Sequence, residues 1–308
     1  MKTRSKYLLA KIESTYKTDP TPVASEAILT HELERTIYDG NVIERGQDRA
    51  TFGSTESINT APFVTHSYGV EVAGSGTLGT APAFGVLLRA CGMAQTVSAG
   101  VSVEYDPVSS SLESIAAYYD RGGERQISLG MRGNCALSFA VGAIPMMNFT
   151  FTGLYAKPAT VTAVTPVTTT FQVPVPVNKT NTPTCTIGTY DLIVQSLDID
   201  FGNDVSHLNL VNFEEVLQAD RAMSGSMTVI APTIATKDMF ALVESHAGAS
   251  SSAFQLIHGA SPNLFQVDAP AMQLNGISEV DINGEQGYTI QFKLLPSSGD
   301  DDIKITIA

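Results

Sequence analysis

Short apolar–polar alternations, each closed by glycine, proline, asparagine or aspartate, occupy most of this chain. Val70-Glu71-Val72 and the runs ALSFA (136–140), NFTFT (148–152), LDIDF (197–201), MTVI (227–230) and TIQFK (289–293) put successive side chains on opposite faces. That is the period of a half-buried strand. Asp120-Arg121-Gly122-Gly123-Glu124 and Asp281-Ile282-Asn283-Gly284 fall between such runs, and Gly and Asn accept the positive φ of a tight hairpin. Few segments have helical spacing. The chain is therefore expected to be mainly β.

Residues 156–185 read AKPATVTAVTPVTTTFQVPVPVNKTNTPTC, with five prolines and nine threonines. Such a composition precludes a helix and favours an extended path. It is the expected linker between a first domain, 1–155, and a second, 186–308, and a length of 308 residues sets the same prior of two domains. Its valines and Phe171 predict that it lies against an apolar surface.

The halves share an order of signals. Thr80 is placed to N-cap a helix running APAFGVLLRAC to Gly92, and Thr236 one running KDMFALVESHA to Gly248. Both intervals are twelve residues, with Phe84 and Phe240 four residues after the cap and Leu87 and Val243 seven after it. Phe84 and Phe240 are the expected core anchors. Asp-Arg-Ala occurs at 48–50 and again at 220–222, but lies 32 residues before the first cap and 16 before the second. A tandem duplication with an insertion at roughly 51–66 in the first half accounts for the difference.

Charge is scarce and uneven. Only 16% of residues are charged, with 18 Lys+Arg against 31 Asp+Glu and a net charge of −13. A charge-poor surface is one that partners cover. Residues 1–182 hold 14 basic and 15 acidic side chains, residues 183–308 hold 4 and 16, and the first 18 residues carry a net +4. This predicts a basic arm and an acidic half that meet across copies of the chain. Ordinary nucleic-acid binding is disfavoured, because phosphate neutralisation needs clustered Lys and Arg. No window of 18 apolar residues predicts a membrane span. Lys11 and Glu13 break the apolar run of the opening too early for a signal peptide. Cys91, Cys135 and Cys185 are odd in number and far apart, as in a chain kept reduced.

Motifs for chemistry are weak. Gly74-Ser-Gly76-Thr-Leu-Gly79 fits a dinucleotide fingerprint in letters, but Pro82 follows where that helix would already be under way, and βαβ units are absent. A glycine-rich turn before a late helix is the better reading. Asp198-Ile-Asp200-Phe-Gly202-Asn203-Asp204 resembles a calcium loop but has Asn209 where the bidentate acid belongs; a strand with outward Asp fits better. Asp300-Asp301-Asp302 has the composition of a solvated acidic run. His31, His66, His207, His246 and His258 show no metal spacing, no G-x-S-x-G elbow exists, and the sequons at Asn148 and Asn178 matter only for a secreted chain. No catalytic, cofactor or metal residue is nominated.

Longer strings carry a resemblance. YLLAKIESTYKTDPTPVASEAIL (7–29), VEVAGSGTLGTAPAFGVLLRACG (70–92), GMRGNCALSFAVGAIPMMNFTFTGLY (130–155), VPVNKTNTP (175–183), DRAMSGSMTVIAPTIATKDMFAL (220–242) and the ending LLPSSGDDDIKITI are similar to major tail tube proteins of long-tailed bacteriophages. The resemblance implies two tandem β-sandwich or barrel-like domains, each with one flanking helix. It also implies a structural virion protein made in the host bacterial cytoplasm. It implies, further, rings of six domains, here three copies, that stack into a tube conducting DNA, which passes without specific binding. Tape measure, tail terminator and distal tail proteins are the implied partners, and the last two are the alternative identities.

On this reading Glu44, Arg45, Asp48, Arg49, Phe52 and Phe63 belong to a polar, aromatic-anchored loop that reaches the neighbouring ring. Lys2, Arg4 and Lys6 at one end, and Asp300, Asp301 and Asp302 at the other, are expected inter-subunit arms.

Overall fold

The computed structural model describes residues 4–244, 246 and 248–308. The first half contains β1 (Lys6–Ile12), β2 (Ala27–Ile28), β3 (His31–Glu44), β4 (Ser57–Glu71), α1 (Gly85–Ala90) and β5 (Met93–Ser98). It continues with β6 (Ser102–Pro107), β7 (Ile115–Arg121), β8 (Glu124–Ala140), β9 (Met146–Leu154) and β10 (Ala159–Thr160). The second half contains β11 (Thr184–Ile187), β12 (Tyr190–Asp191), β13 (Val194–Asp200), β14 (Asn203–Leu210), β15 (Phe213–Arg221) and β16 (Ser224–Ile230). After these come α2 (Phe240–Val243), β17 (Ser252–His258), β18 (Phe265–Ile282), β19 (Glu285–Leu295) and β20 (Lys304–Ile307). The fold is mainly β, as the alternation predicts. Both expected hairpin turns are present: Gly122-Gly123 joins β7 to β8, and Asn283-Gly284, with φ of 55° and 90°, joins β18 to β19.

One pairing order occurs twice. The first half pairs β2–β1–β7–β8–β9–β4–β3, and the second pairs β12–β11–β17–β18–β19–β16–β13, every pair antiparallel. In each half one long strand, β8 or β18, serves two sheets. Its N-terminal part pairs with β7 or β17, and its C-terminal part with β9 or β19. A strand long enough to bend between sheets lets one chain segment enclose a core from two sides.

The halves also share sheet and core. Ala136–Ala140 of β8 pairs with Ser196–Asp200 of β13. The C-terminal β20 lies between β18 and β6, with Ile305 opposite Tyr105. Leu8, Phe149, Leu197 and Phe292 accordingly belong to one buried apolar cluster. Apart from β10, which pairs with the start of β8, and the first residues of β11, the Pro/Thr-rich segment crosses this assembly as irregular chain. Phe171 packs on the core and Val177 is buried. Val177 exchanges backbone bonds with Gly142 and Ala143, both 2.9 Å, and the Tyr7 hydroxyl accepts from Val164 N–H at 3.1 Å.

The helices are shorter than the cap-to-glycine intervals predict. α1 begins at Gly85, because Thr80-Ala81-Pro82 remains outside the helix; Gly85 N–H closes the first turn on the Pro82 carbonyl at 2.9 Å. A Cβ on Gly85 would stand 2.2 Å from the Tyr105 hydroxyl oxygen, so the helix start is seated against β6. α2 has four residues, and Asp238, not Thr236, accepts the free Ala241 N–H at 3.0 Å. Ser245 and Ala247 of the expected second helix lie outside the described residues. Phe84 is 2% exposed, as a core anchor should be, whereas Phe240 is 42% exposed and stands edge-on to Tyr288. Met239, at 1%, fills the core there instead.

The proposed insertion also needs redrawing. Residues 57–66 are not loop but the first two-thirds of β4, and only 45–56 connect β3 to β4. Asp48-Arg49-Ala50 lies in that connection, while Asp220-Arg221-Ala222 ends β15, so the repeated tripeptide does not mark equivalent places.

Candidate assembly surfaces

The β3–β4 hairpin extends beyond its own core. No residue from Thr36 to Glu44 or from Ser57 to Phe63 is buried, although both strands stay paired to the last rung, Glu44 opposite Ser57. Val42, Ile43 and Ile58 are more than half exposed and Phe52 at the tip fully so. Arg45 fastens the base of the tip. Its guanidinium meets Glu56 Oε2 at 2.5 Å and its backbone N–H donates to the Glu56 carbonyl at 3.1 Å. Arg49 spans the tip to the Ser54 carbonyl at 3.3 Å, and Asp48 is exposed beside it. Phe63 is not part of the tip. It sits in β4 between Asp39 and Leu154, its ring 5.4 Å from His207 of β14.

A second projecting ribbon, β14–β15, has no counterpart among the sequence expectations. In chain order it lies between β13 and β16 as the β3–β4 extension lies between the halves of its own hairpin, but it packs against β8 and β9 with Val216 buried, and only its turn exposes Leu210, Val211 and Phe213. Arg132 of β8 clamps its root, with Nη1 donating to Glu215 at 2.7 Å and to the Val216 carbonyl at 2.6 Å. The Tyr16 hydroxyl accepts Val216 N–H at 2.7 Å; burial, opposed by that bond and by Arg132, pushes its pKa up to about 12. The only sequence signal was the weak alternation of 203–210 and 213–221 about Val211-Asn212.

The termini are tied down more than free arms would be. Lys2 lies outside the described residues, and Arg4 is exposed. Lys6 is inside β1 opposite Arg121, and its ammonium donates to the Leu33 carbonyl on β3. Asp302 is buried on Arg221 at 2.8 Å, and Asp300 meets the same guanidinium at 3.1 Å. The Ser109 hydroxyl, then Arg221, hold the Asp300 carboxyl below its ordinary range. Asp301 is lowered by the Ser298 hydroxyl and the N–H groups of its own turn.

Between the two hairpin arms runs a single continuous sheet, β3–β4–β9–β8–β13–β16–β19–β18. One face supplies the core: Cys135, Leu137, Phe149, Leu197, Ile199, Met227, Ile290 and Phe292 are all buried. The other face is short and mostly polar. One rung reads Asn148, Ala136, Asp200, Ser224, Lys293, and the next reads Met146, Ser138, Asp198, Ser226, Gln291. An unpaired strand edge of such a sheet is a template on which another strand can pair.

A family profile described as phage tail tube protein matches residues 3–308. The chain belongs to the phage tail tube protein family. No curated protein matches it.

A tail tube protein is a structural component of the virion tail, and its other motifs take structural roles. The glycine-rich stretch packs tightly: a Cβ on Gly79 would lie 2.2 Å from Gly100 N, and Gly76 N–H donates to Asn263 Oδ1 at 2.9 Å. Asp198 and Asp200 point outward from β13, with Asp200 accepting from Asn134 at 2.6 Å. Cys91, Cys135 and Cys185 are free and buried. Among the described residues no group of His, Cys, Asp and Glu has metal-site geometry, and no helix is long and apolar enough to cross a membrane.

Proposed function

We propose that copies of this tail tube protein close into rings of three, that the rings stack into a tube, and that the polar face of the continuous sheet lines the channel for the phage genome. The observation that carries the reading is that sheet: eight strands across both halves, one face in the core, the other bearing mostly Ser, Thr, Asn and Gln, with two exposed aspartates against one exposed lysine, Lys293. Duplex DNA carries one negative charge per roughly 1.7 Å, and a lysine-rich wall would hold it through counterion release. Asp198 and Asp200 repel it instead, and hydroxyl and amide side chains give a wall without aromatic stacking sites. DNA is thus a transient passenger.

The two hairpin arms, with their exposed apolar residues, are the contacts between rings; Glu44, Arg45, Asp48, Arg49 and Phe52 belong to the first arm. Tape measure protein inside the tube, and terminator and distal tail proteins at its ends, complete the partners. The chain acts without catalysis. It is made in the host cytoplasm, where its three thiols stay reduced.

Electron microscopy of the purified protein over a range of concentrations tests this reading. Hollow tubes with three-fold rings are expected. Isolated discs or monomers at every concentration reject polymerisation, and six chains per ring reject the copy number.

A further inference from the structure

Within the chain the two halves are joined edge to edge, with Leu137 of β8 opposite Ile199 of β13 and Ala136 opposite Asp200. The recurring strand order gives each member of that joint a counterpart: β18 for β8, and β3 for β13. Both counterparts have an open edge. Among the described residues β3 pairs only with β4, and β18 from Gly276 onward only with β19. On β3, Lys6 donates to the Leu33 carbonyl and Gln126 to the Ile37 carbonyl, which leaves the backbone of Glu34–Thr36 between them for a strand partner.

The register follows from aligning the halves on Phe151 of β9 and Phe292 of β19, each buried and each two residues after another buried apolar residue, Phe149 or Ile290, that faces the buried Tyr68 of β4 or Met227 of β16. Gly133, Phe151, His66 and Arg35 lie opposite one another across β8, β9, β4 and β3. Leu274, Phe292, Gly225 and Ile199 do so across β18, β19, β16 and β13. Arg35 is therefore the counterpart of Ile199. Leu137 lies four residues beyond Gly133; its counterpart lies five beyond Leu274, because β18 has one extra residue where its register shifts between Leu274 and Gly276. That counterpart is Glu279.

We propose that β3 of one copy adds antiparallel to the end of β18 of the next copy, with Arg35 opposite Glu279, Thr36 opposite Ser278 and Glu34 opposite Val280. The proposal rests on the ring reading above and names its joint. The chemistry at the central pair agrees with the register derived from that alignment. Where the internal joint sets Leu137 against Ile199, the external one sets a cation against an anion. Arg35 Nη1 donates to Gln126 at 2.9 Å and its plane covers Tyr119 at 4.0 Å, yet its Nε–H is buried without an acceptor. Glu279 is exposed and, among the described residues, held only by Gln286 at 3.2 Å. An apolar pair suits a joint never opened, whereas a charged pair keeps an edge soluble until its partner arrives.

Cysteine cross-linking in assembled tubes tests the register. An antiparallel rung places opposite Cα atoms about 4.5–5.5 Å apart, inside the range of roughly 4.4–6.8 Å that a disulfide needs. The exposed pair Thr36→Cys and Ser278→Cys in one chain should convert monomer into a reducible ladder of linked copies. Either cysteine alone should not, and the native thiols are buried. Thr36→Cys with Asn275→Cys is displaced by about 10 Å along the strand and should stay monomeric on the gel. Glu279→Arg should abolish polymerisation while leaving the monomer's circular dichroism unchanged. Tubes that form without the 36–278 link, or with equal linking at 275, overturn the joint and leave the tube reading intact. A wild-type protein that never assembles overturns both.

Discussion

Arg221 at the end of β15 and Asp302 just before β20 form a two-point ion pair, Nη2 and Nε reaching the same carboxylate oxygen at 2.8 and 3.1 Å, with each side chain 11% exposed. Nη1 donates to the Val108 carbonyl at 3.2 Å and Nη2 also to Asp300 at 3.1 Å, so each nitrogen of the guanidinium has a partner. The pair ties the root of the second ribbon to the end of β6 and to the C-terminal segment, where the two halves meet. Burying two charges is costly, and the pair's net contribution to stability is small. Losing one member is a different matter.

Arg221→Ala leaves Asp302 buried without its cation and should destabilise the fold by about 3–5 kcal/mol. Urea unfolding of the monomer measures it. The double variant Arg221→Met/Asp302→Leu, which removes both charges, should recover much of the loss. An unchanged midpoint in the single variant would show that the pair is already wet.

His66 should make stability fall in mild acid. It is wholly buried on β4, neither ring nitrogen has a partner among the described residues, and Arg35 of β3 and Tyr119 of β7 pack against it. Burial, then the Arg35 cation, lowers its pKa to about 3 from the ordinary 6.5. The unfolded chain therefore binds a proton between those values and the folded chain does not. Stability is complete above pH 6.5 and declines below it, by about 2 kcal/mol at pH 5. His258, also lowered by burial, acts in the same direction. His66→Phe should unfold with a visibly flatter pH profile than wild type between 7.5 and 5. Parallel profiles would remove His66 from the account.

The two helix phenylalanines should separate sharply. Phe84→Ala opens a cavity at a site 2% exposed and should cost about 3–5 kcal/mol. Phe240→Ala removes an edge contact with Tyr288 from a half-exposed site and should cost only about 1 kcal/mol. Thermal unfolding of both variants checks the ranking. Equal losses would mean that assembly-independent packing covers Phe240 after all.

That contrast shows what was legible in the sequence. Strands and tight turns were, because period-2 alternation and Asn283-Gly284 are local statements about side-chain direction and φ. The family strings were too, since they span the chain. Helix lengths were not. Where α1 starts is decided by the approach of Gly85 to Tyr105 on β6, and the inward residue of α2 is Met239, one position before the phenylalanine that the repeat had matched. The tripeptide Asp-Arg-Ala misplaced the insertion, because letters recur more easily than positions. The β8–β13 joint, the most informative feature of the candidate surface, pairs Ser138 with Asp198 across the linker. No local signal announces a partner so far along the chain.

The tip of the first arm should be needed for stacking and dispensable for folding. Residues 57–60 belong to β4, so a clean deletion must spare them; removing 47–54 keeps Arg45 and Glu56, whose pairing at 2.5 Å can still close a shorter turn. The tip touches little else in the chain: Phe52 is fully exposed, and Arg49 bonds only within the loop, to Ser54. Its removal therefore sacrifices no core contact. The shortened protein should unfold at the wild-type urea midpoint, within about 0.5 kcal/mol, and form single rings or monomers in place of tubes. Phe52→Ser should weaken stacking in the same direction, raising the protein concentration at which tubes appear. Light scattering against concentration reads both variants. Tubes of ordinary length from the deleted chain would assign stacking to the other ribbon, with Val211 and Phe213 as its exposed apolar contacts.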